Sequence, residues 1–417
     1  MKSRCLTFFL LPFSFLLFTS VLGLGWSPAW AGDLPENATF TTLITTPLVV
    51  EGLTGDDSGN LYTTGRNAGN GVSCPVWKIN LANPSLVVVG NIPAPSATTQ
   101  CSPSGIAFND IKDLFVADGN NIFTFTPNSI TPPTATVFAS GVLGTNGLAF
   151  DRYGNLWTGD GTQGRGIVWK ITPGGVVTEE FRIQPMRNGT DLGGDISVVP
   201  TANQPTQGVG RQARTFPHTA AGGNPQDLVA NGLAFNKKGD LFIADTARGA
   251  IWKVEFDRYG NLKSETDCDA TFAPGTLCLN NIFVTHPLLD GTDGIALDRK
   301  GNIWNSANER NAIVVVTEKK QVVEVFRNLV NTNTNLRNSA TNPADNDRIL
   351  ETPTSPFLSG KTFCTANSDG NRRDNFPATS AVAGDNVGEI GGVGQDKGKI
   401  SCMDDELKIK GLPLPVE

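Results

Sequence analysis

The sequence predicts an all-β fold, a six-bladed β-propeller in which each blade is a four-stranded antiparallel sheet. One frame of short strands and turns recurs along the chain of 417 residues. The contents of glycine (46) and proline (26) suit many short strands joined by turns. Six such sheets arranged radially leave only short, protected edges. A linear solenoid is the alternative, but repeat units of four strands suit it poorly.

Residues 1–31 have the form of a secretory signal peptide. Lys2 and Arg4 precede a Leu/Phe-rich run, and Ala29-Trp30-Ala31 resembles a cleavage site. The alternative is a retained membrane anchor, but the apolar run is short and Pro12 interrupts it. We therefore expect an exported protein, periplasmic or secreted, with no membrane span after signal removal and a single propeller domain over residues 32–417.

A repeat of glycine, polar turn and second strand defines the start of each blade. The second strand contains a Leu or Ile nine residues after the glycine, and a sixth copy, 354–369, is looser. The five regular copies are EGLTGDDSGNLYTTG (51–65), SGIAFNDIKDLFVAD (104–118), NGLAFDRYGNLWTGD (146–160), NGLAFNKKGDLFIAD (231–245) and DGIALDRKGNIWNSA (293–307).

Several copies continue into a third and a fourth strand. Third strands are predicted at 75–80, 166–172, 249–256 and 311–317, and fourth strands at 176–181 and 322–326. In the last copy the third strand is predicted at 398–404, and residues 39–46 supply the outer strand, so that both chain ends close the ring. The Gly/Asn/Asp-rich stretches 186–225, 329–349 and 370–397 are predicted insertions, either functional lids or flexible surface loops.

The cysteines favour disulfides. Cys5 belongs to the signal, and the even number that remains is typical of an exported chain with disulfides. Proximity suggests the pairs Cys74–Cys101, Cys268–Cys278 and Cys364–Cys402. The chain has only 2 histidines and no CxxC spacing, which argues against zinc. A net charge of −7 without a Lys/Arg cluster argues against nucleic-acid binding.

The residue just before each repeat glycine is polar in every copy but differs between copies. The first strand of a propeller blade lines the central channel, so these residues are expected at one channel mouth. Asn, Asp and Ser before glycine are also ordinary turn residues, but Glu is a poor one. Together these side chains predict a site for a hard divalent cation, Ca²⁺ first and Mn²⁺ or Mg²⁺ as alternatives. The positions are Glu51, Ser104, Asn146, Asn231, Asp293, and Thr354 or Ser355.

This ordered set resembles the SMP-30/gluconolactonase/luciferin-regenerating enzyme family, which are six-bladed propellers with one divalent cation in the channel. In that family a Glu lies in the first blade, Asn in the third and fourth, and Asp in the fifth. The resemblance implies that Glu51, Asn231 and Asp293 are metal ligands and that Asp293 is also the general base. Asn146 would contact the substrate, and we assign Ser104 to the same role. NHL-type and strictosidine-synthase-like propellers share part of the repeat frame.

The function implied is metal-dependent hydrolysis of a lactone or related small ester. Family enzymes that act on sugar lactones often have an Arg two residues before the third-blade Asn, where Gly144 stands here, so a sugar lactone is less favoured. Arg165, Arg248 and Arg310 follow second strands and are interpreted as solvated charges. The alternative function is a non-catalytic secreted propeller that binds a ligand or protein partner and uses the cation for structure.

Overall fold

The structure is a computed structural model. It describes residues 33–35, 38–161, 166–184, 230–246, 248–270, 272–289, 291–308, 311–327, 349–350, 352–368 and 398–415. The chain divides into Met1–Asp33 and Leu34–Glu417, and the second unit holds every strand. The predicted signal peptide and the predicted insertions, apart from residue 349, lie outside the described residues. No helix in the described ranges is long and apolar enough to cross a membrane.

Six four-stranded antiparallel sheets confirm the predicted six-bladed propeller. Strand β1 (Phe40–Thr46) belongs to the last blade. Blade 1 contains β2 (Val50–Gly55), β3 (Asn60–Gly65), β4 (Cys74–Asn80) and β5 (Leu86–Ile92). Blade 2 contains β6 (Pro103–Phe108), β7 (Leu114–Asp118), β8 (Asn121–Phe125) and β9 (Thr136–Ser140). Blade 3 contains β10 (Thr145–Phe150), β11 (Leu156–Asp160), β12 (Ile167–Ile171) and β13 (Val177–Arg182).

The remaining three strand sets complete the ring. Blade 4 contains β14 (Leu233–Phe235), β15 (Leu241–Asp245), β16 (Ala250–Val254) and β17 (Ile282–Thr285). Blade 5 contains β18 (Thr292–Leu297), β19 (Ile303–Ala307), β20 (Ala312–Val316) and β21 (Val322–Arg327). Blade 6 contains β22 (Pro353–Ser359), β23 (Thr362–Asn367) and β24 (Gly398–Met403). Two short 3₁₀ turns, Leu279–Asn281 and Pro287–Leu289, flank β17.

Blade 6 is assembled from both ends of the propeller chain, as predicted. Its strand order is β22-β23-β24-β1, and Phe40 on β1 is paired with Met403 on β24. Cys364 and Cys402 lie opposite each other on β23 and β24 and form a disulfide. The predicted pairs Cys74–Cys101 and Cys268–Cys278 are also present. The Cys364–Cys402 disulfide therefore joins two strands of the sheet that closes the ring.

The hydrophobic core lies between neighbouring blades, where aromatic side chains of successive sheets meet. Trp157 of blade 3 packs against Phe235 of blade 4 with ring centroids 5.8 Å apart. Trp304 of blade 5 and Phe363 of blade 6 are 5.1 Å apart. Trp157 and Trp304 are almost fully buried. Such pairs stabilise the ring beyond the area that they bury and fix the spacing between blades.

The turn between the first and second strands is fixed by an Asp side chain in three blades. In blade 3, the Oδ1 atom of Asp151 accepts hydrogen bonds from the backbone N–H groups of Tyr153 and Asn155. The Oδ2 atom of Asp151 accepts from Trp157 Nε1 at 2.9 Å, which joins the turn to the core. Asp56 and Asp298 occupy the same place in blades 1 and 5. These carboxylates explain the Asp-x-x-Gly-Asn pattern of the sequence.

The repeat glycines are required where the first strands of neighbouring blades come closest. A Cβ atom at any of them would overlap a backbone carbonyl of the next blade, so only glycine fits. The distances from the added Cβ are 2.2 Å at Gly52 (to Ser104 O), 2.1 Å at Gly105 (to Asn146 O), 2.8 Å at Gly147 (to Asn231 O), 2.4 Å at Gly232 (to Asp293 O) and 2.4 Å at Gly294 (to Thr354 O).

Candidate functional site at the channel mouth

The structure brings the predicted polar positions into one ring. Each repeat glycine lies against the backbone oxygen of a predicted polar position in the next blade, as Gly52 does against Ser104. The sixth junction is closed by the Thr354 hydroxyl, which donates to the backbone oxygen of Glu51 at 2.7 Å. Asn231 lies two residues before β14, and the other positions lie on first strands. The backbones of these six positions therefore form one ring at a single level of the channel.

On the other side of the glycines the channel is apolar. Inner-strand residues such as Ile106, Leu233 and Ile295 line a cavity there, together with Leu412 and Leu414 from the C-terminal segment. The backbone N–H of Leu412 donates to Leu297 O, which fastens this segment to blade 5. Among the residues that the structure describes, no titratable side chain lines this cavity.

A second set of side chains supports the ring. The residue that follows the second strand of a blade contacts the channel residue that lies 15 positions before it. In blades 1, 4 and 5 the contact is polar, and in blade 3 the later residue is a glycine. The pairs are Glu51 with Arg66, Asn146 with Gly161, Asn231 with Thr246, and Asp293 with Asn308.

Glu51 forms an ion pair with Arg66. Its carboxylate accepts from Arg66 Nη1, and the side chains are only 15% and 25% exposed. Arg66 also donates from Nη2 and Nε to the hydroxyl of Ser102, at 2.7 and 3.2 Å. The backbone N–H of Ser102 in turn donates to Asp118 Oδ1 at 3.0 Å. Burial raises the pKa of the Asp118 carboxyl, and the Ser102 N–H and the charge of Arg66 partly oppose that shift.

Asn231 and Asp293 are joined through Thr246 and the backbone next to Asp293. The Nδ2 group of Asn231 donates to Thr246 Oγ1 at 3.0 Å, and Thr246 donates to Thr292 O at 2.5 Å. The backbone N–H of Gly232 donates to Asp293 O at 3.0 Å. These bonds fix the two channel residues relative to each other, although they belong to different blades.

Asp293 has its own supporting amide. The Nδ2 group of Asn308 donates to Asp293 Oδ2 at 2.8 Å. Both residues are buried, and a hydrogen bond to a carboxylate is stronger in such surroundings than in water. Asn308 is anchored by its backbone N–H, which donates to Gly291 O at 2.9 Å. The orientation of the Asp293 carboxylate is thus set by the rigid end of β19.

The hydroxyl of Ser104 and the side chain of Asn146 have different environments. Ser104 Oγ donates to Thr145 O of the next blade at 3.1 Å, so its proton is used for a contact between blades. Asn146 lies beside Gly161, where a Cβ atom would come within 2.5 Å of Asn146 Nδ2. The absence of a side chain at position 161 therefore provides the space that the Asn146 amide occupies. The assignment of Asn146 and Ser104 to substrate binding stays a prediction.

Sequence reasoning missed Arg66, Thr246 and Asn308, although the signal was present. Each lies five residues after the apolar residue of the second strand, namely Leu61, Leu241 or Ile303. Extending the aligned repeat by one residue would have shown a further position that varies between copies, the one directly after the second strand. Its contact with the first variable position follows from the pairing of two adjacent antiparallel strands.

The interpretation of Arg248 as a solvated charge is wrong. The Arg248 side chain is fully buried, with Nε 3.1 Å from Asp245 Oδ2 and Nη2 2.6 Å from Gln184 O. Asp245 also accepts from Trp252 Nε1, so the charge pair is part of the blade 4 core. Burial raises the pKa of Asp245, and Arg248 opposes this shift. Arg165 and Arg310 lie outside the described residues.

Comparison with known proteins confirms the predicted family resemblance. The family model SMP-30/Gluconolactonase/LRE-like region matches residues 221–336. A comparison of the sequence with curated proteins gives no match.

Solved structures with the same fold include a luciferin-regenerating enzyme, with 12% identity, a TM-score of 0.52 and coverage of 90% of this chain and 97% of that one. A putative gluconolactonase has 14% identity, a TM-score of 0.50, and coverage of 93% and 98%. Regucalcin from Agrobacterium tumefaciens, described as calcium-binding, has 16% identity, a TM-score of 0.52, and coverage of 90% and 95%. The chain is thus a propeller similar to those of the lactonase family.

Proposed function

We propose that this propeller is a metal-dependent hydrolase of a lactone or related small ester. The observation that supports the proposal is that Glu51, Asn231 and Asp293 occupy equivalent positions in their blades, each in contact with the side chain that follows the second strand. A protein that used the channel only as a structural axis would have no need for carboxylates there. The similarity to gluconolactonase-type propellers supports the same proposal.

The donor set fits a hard divalent cation. Glu51 and Asp293 offer carboxylate oxygens. Asn231 offers its amide oxygen, since its Nδ2 group is engaged by Thr246. None of the six channel positions is a His or Cys, and oxygen ligands are typical of Ca²⁺, with Mg²⁺ or Mn²⁺ as alternatives. The description of regucalcin as a calcium-binding protein supports Ca²⁺ as the first choice.

Glu51, Asn231 and Asp293 would hold the cation, which when bound would supply polarisation of the ester carbonyl. Asp293 removes the proton from the water that attacks the carbonyl carbon, and Asn308 keeps the Asp293 carboxylate oriented. The carbon–oxygen bond to the alcohol then breaks, and the proton held on Asp293 passes to the departing alkoxide oxygen. Asn146, in the space beside Gly161, donates its amide N–H groups to the substrate. Burial of these groups excludes bulk water from the reacting atoms.

Purified protein supplied with CaCl₂ or MnCl₂ should hydrolyse simple lactones or aryl esters, and EDTA should abolish the activity. Asp293→Asn should reduce kcat by at least about 100-fold, since a positioned general base contributes roughly 10²–10⁴ in rate. The exposed Asp110 provides the matched control, and Asp110→Asn should leave the rate unchanged.

Metal analysis of the double variant Glu51→Gln/Asp293→Asn should show loss of the cation that wild-type protein retains. Absence of turnover with every cation would contradict the hydrolase. In that case, a chelator that lowers the melting temperature without affecting ligand binding would favour a non-catalytic binding propeller with a structural cation.

A further inference from the structure

A positively charged group already contacts the predicted cation ligand Glu51. The guanidinium of Arg66 pairs with the Glu51 carboxylate, and both side chains are mostly buried. Glu51 is the second residue of the channel strand β2, and Arg66 directly follows β3, the next strand of the same blade. The carboxylate that would hold a divalent cation is therefore engaged by a cation of the protein itself.

Arg66 is held in this position by backbone and covalent contacts. Its backbone N–H donates to Val49 O at 2.8 Å, and the N–H of the next residue, Asn67, donates to Cys101 O at 3.0 Å. The disulfide Cys74–Cys101 joins the segment after Arg66 to the segment that carries Ser102. These contacts fix the backbone of Arg66, and its side chain reaches Glu51 from that fixed point.

We propose that Arg66 is an internal counter-ion of Glu51 that a divalent cation must displace in order to bind. The inference rests on the proposed function only in taking Glu51 as a cation ligand. The carboxylate oxygen that accepts from Arg66 Nη1 is in direct contact with a positive group, so a cation bound at that oxygen would meet strong like-charge repulsion. Cation binding at this oxygen and the Glu51–Arg66 ion pair therefore compete for the same carboxylate.

The displaced guanidinium has a second anion to accept it. Ser102 already receives hydrogen bonds from Arg66, and Ser102 in turn donates to the carboxylate of Asp118. The other oxygen of that carboxylate, Oδ2, is buried and has no hydrogen-bond partner among the residues that the structure describes. Rotation of the Arg66 side chain toward Ser102 would bring its positive charge closer to this carboxylate. The carboxyl group of Asp118 is therefore the nearby anion that can compensate Arg66 when Glu51 is taken by a cation.

This exchange lowers the affinity of the site for the cation, because the ion pair must be broken first. Close, partly buried charge pairs contribute enough energy for a change of tenfold or more in a binding constant. Arg66 would thus limit cation binding to surroundings in which the cation is abundant. It would also keep the Glu51 carboxylate paired in the cation-free protein.

Isothermal titration of metal-stripped protein with CaCl₂ alone tests the proposal. Arg66→Gln should bind Ca²⁺ at least about tenfold more tightly than wild type. Arg66→Lys, which keeps the charge but cannot bridge Glu51 and Ser102, should lie in between. Arg152→Gln is the matched control, because Arg152 is an exposed arginine in the turn at the other end of blade 3. Its affinity should equal that of wild type.

Equal or weaker Ca²⁺ binding by Arg66→Gln would overturn the proposal, as would absence of binding by all four proteins. If Arg66→Gln does not fold, as judged by near-ultraviolet circular dichroism, Arg66→Lys decides on the same criterion. The same experiments distinguish failure of the proposed hydrolase function from failure of the role proposed for Arg66. The expected order of Ca²⁺ affinities without any ester turnover would refute the proposed function and leave the role of Arg66 intact, and turnover without that order would do the reverse.

Discussion

Alanine in place of a ring glycine should destabilise the propeller, and Gly105 provides the sharpest case. A Cβ at this position would lie 2.1 Å from Asn146 O, 2.9 Å from Leu148 N and 3.0 Å from Gly147 C. All three atoms belong to the backbone of the next channel strand, so no side chain can rotate away. Real Cβ contacts are essentially never shorter than 3.0 Å, so β10 would have to move by about 0.9 Å relative to β6.

The size of the destabilisation follows from the fact that the clashing atoms belong to the backbone of β10. Overpacking of a core costs about 1–3 kcal/mol when side chains can adjust, and a backbone clash should reach or exceed the upper figure. For a domain of about 380 residues the unfolding entropy is about 0.8 kcal/mol/K, so a loss of about 3 kcal/mol lowers the melting temperature by about 4 °C. Gly147→Ala should have a smaller effect, because its shortest distance is 2.8 Å.

Differential scanning calorimetry of Gly105→Ala, Gly147→Ala and wild type provides the measurement. Gly174→Ala is the control, because that glycine lies in an exposed turn and an added Cβ meets only Thr172 Oγ1 at 3.8 Å. Its free energy of unfolding should stay within about 0.5 kcal/mol of wild type. The melting temperatures should be measured to about 0.5 °C. A difference below about 1 °C between Gly105→Ala and Gly174→Ala would refute the close approach of neighbouring channel strands.

Three further predictions concern single groups. Burial raises the pKa of Asp118, so its contribution to stability is greatest below the unfolded pKa of about 4 and is lost as the pH rises through the folded value. Urea unfolding should therefore show that Asp118→Asn gains stability relative to wild type between pH 4 and pH 7, and a constant difference would contradict this. Thr246→Val removes the hydroxyl that orients Asn231 and donates to Thr292 O, so calcium titration should show weaker binding by about tenfold, and the melting temperature should also fall because two buried polar groups lose their partner. Serine at both Cys364 and Cys402 opens a loop with a sequence separation of 38, which should cost about 4 kcal/mol in denaturant unfolding, and an unchanged midpoint would show that the other contacts of blade 6 are sufficient.

The sequence was sufficient to predict the architecture and the first ring of channel residues. Glycines that must fit against a neighbouring backbone recur at a fixed place, and the polar residue before each glycine then occupies an equivalent place in every blade. Even the closure by β1 and β24 could be inferred, because the last repeat lacked a fourth strand of its own.

The parts that sequence reasoning missed depend on contacts between distant segments. Arg66 meets Ser102, which is 36 residues away, across the junction of two blades. Arg248 Nη2 donates a hydrogen bond to the carbonyl oxygen of Gln184, 64 residues earlier, and this contact helps to bury the side chain. An arginine in a loop is most often exposed, and no local pattern distinguishes one whose partner lies in the preceding blade. Such partners become visible only when the blades are placed side by side.

The spacing of 15 residues between the paired channel positions has a practical consequence for protein engineering. Blades 1, 4 and 5 each present one residue near the start of the first strand and one just after the second strand, and neither belongs to the aromatic core between blades. Codons at these two positions can therefore be randomised blade by blade, while the glycines and the core are kept. Selection from such a library would explore new cation and ligand preferences on an unchanged scaffold, provided that positions in contact across a blade junction, such as Thr246 and Thr292, are varied together.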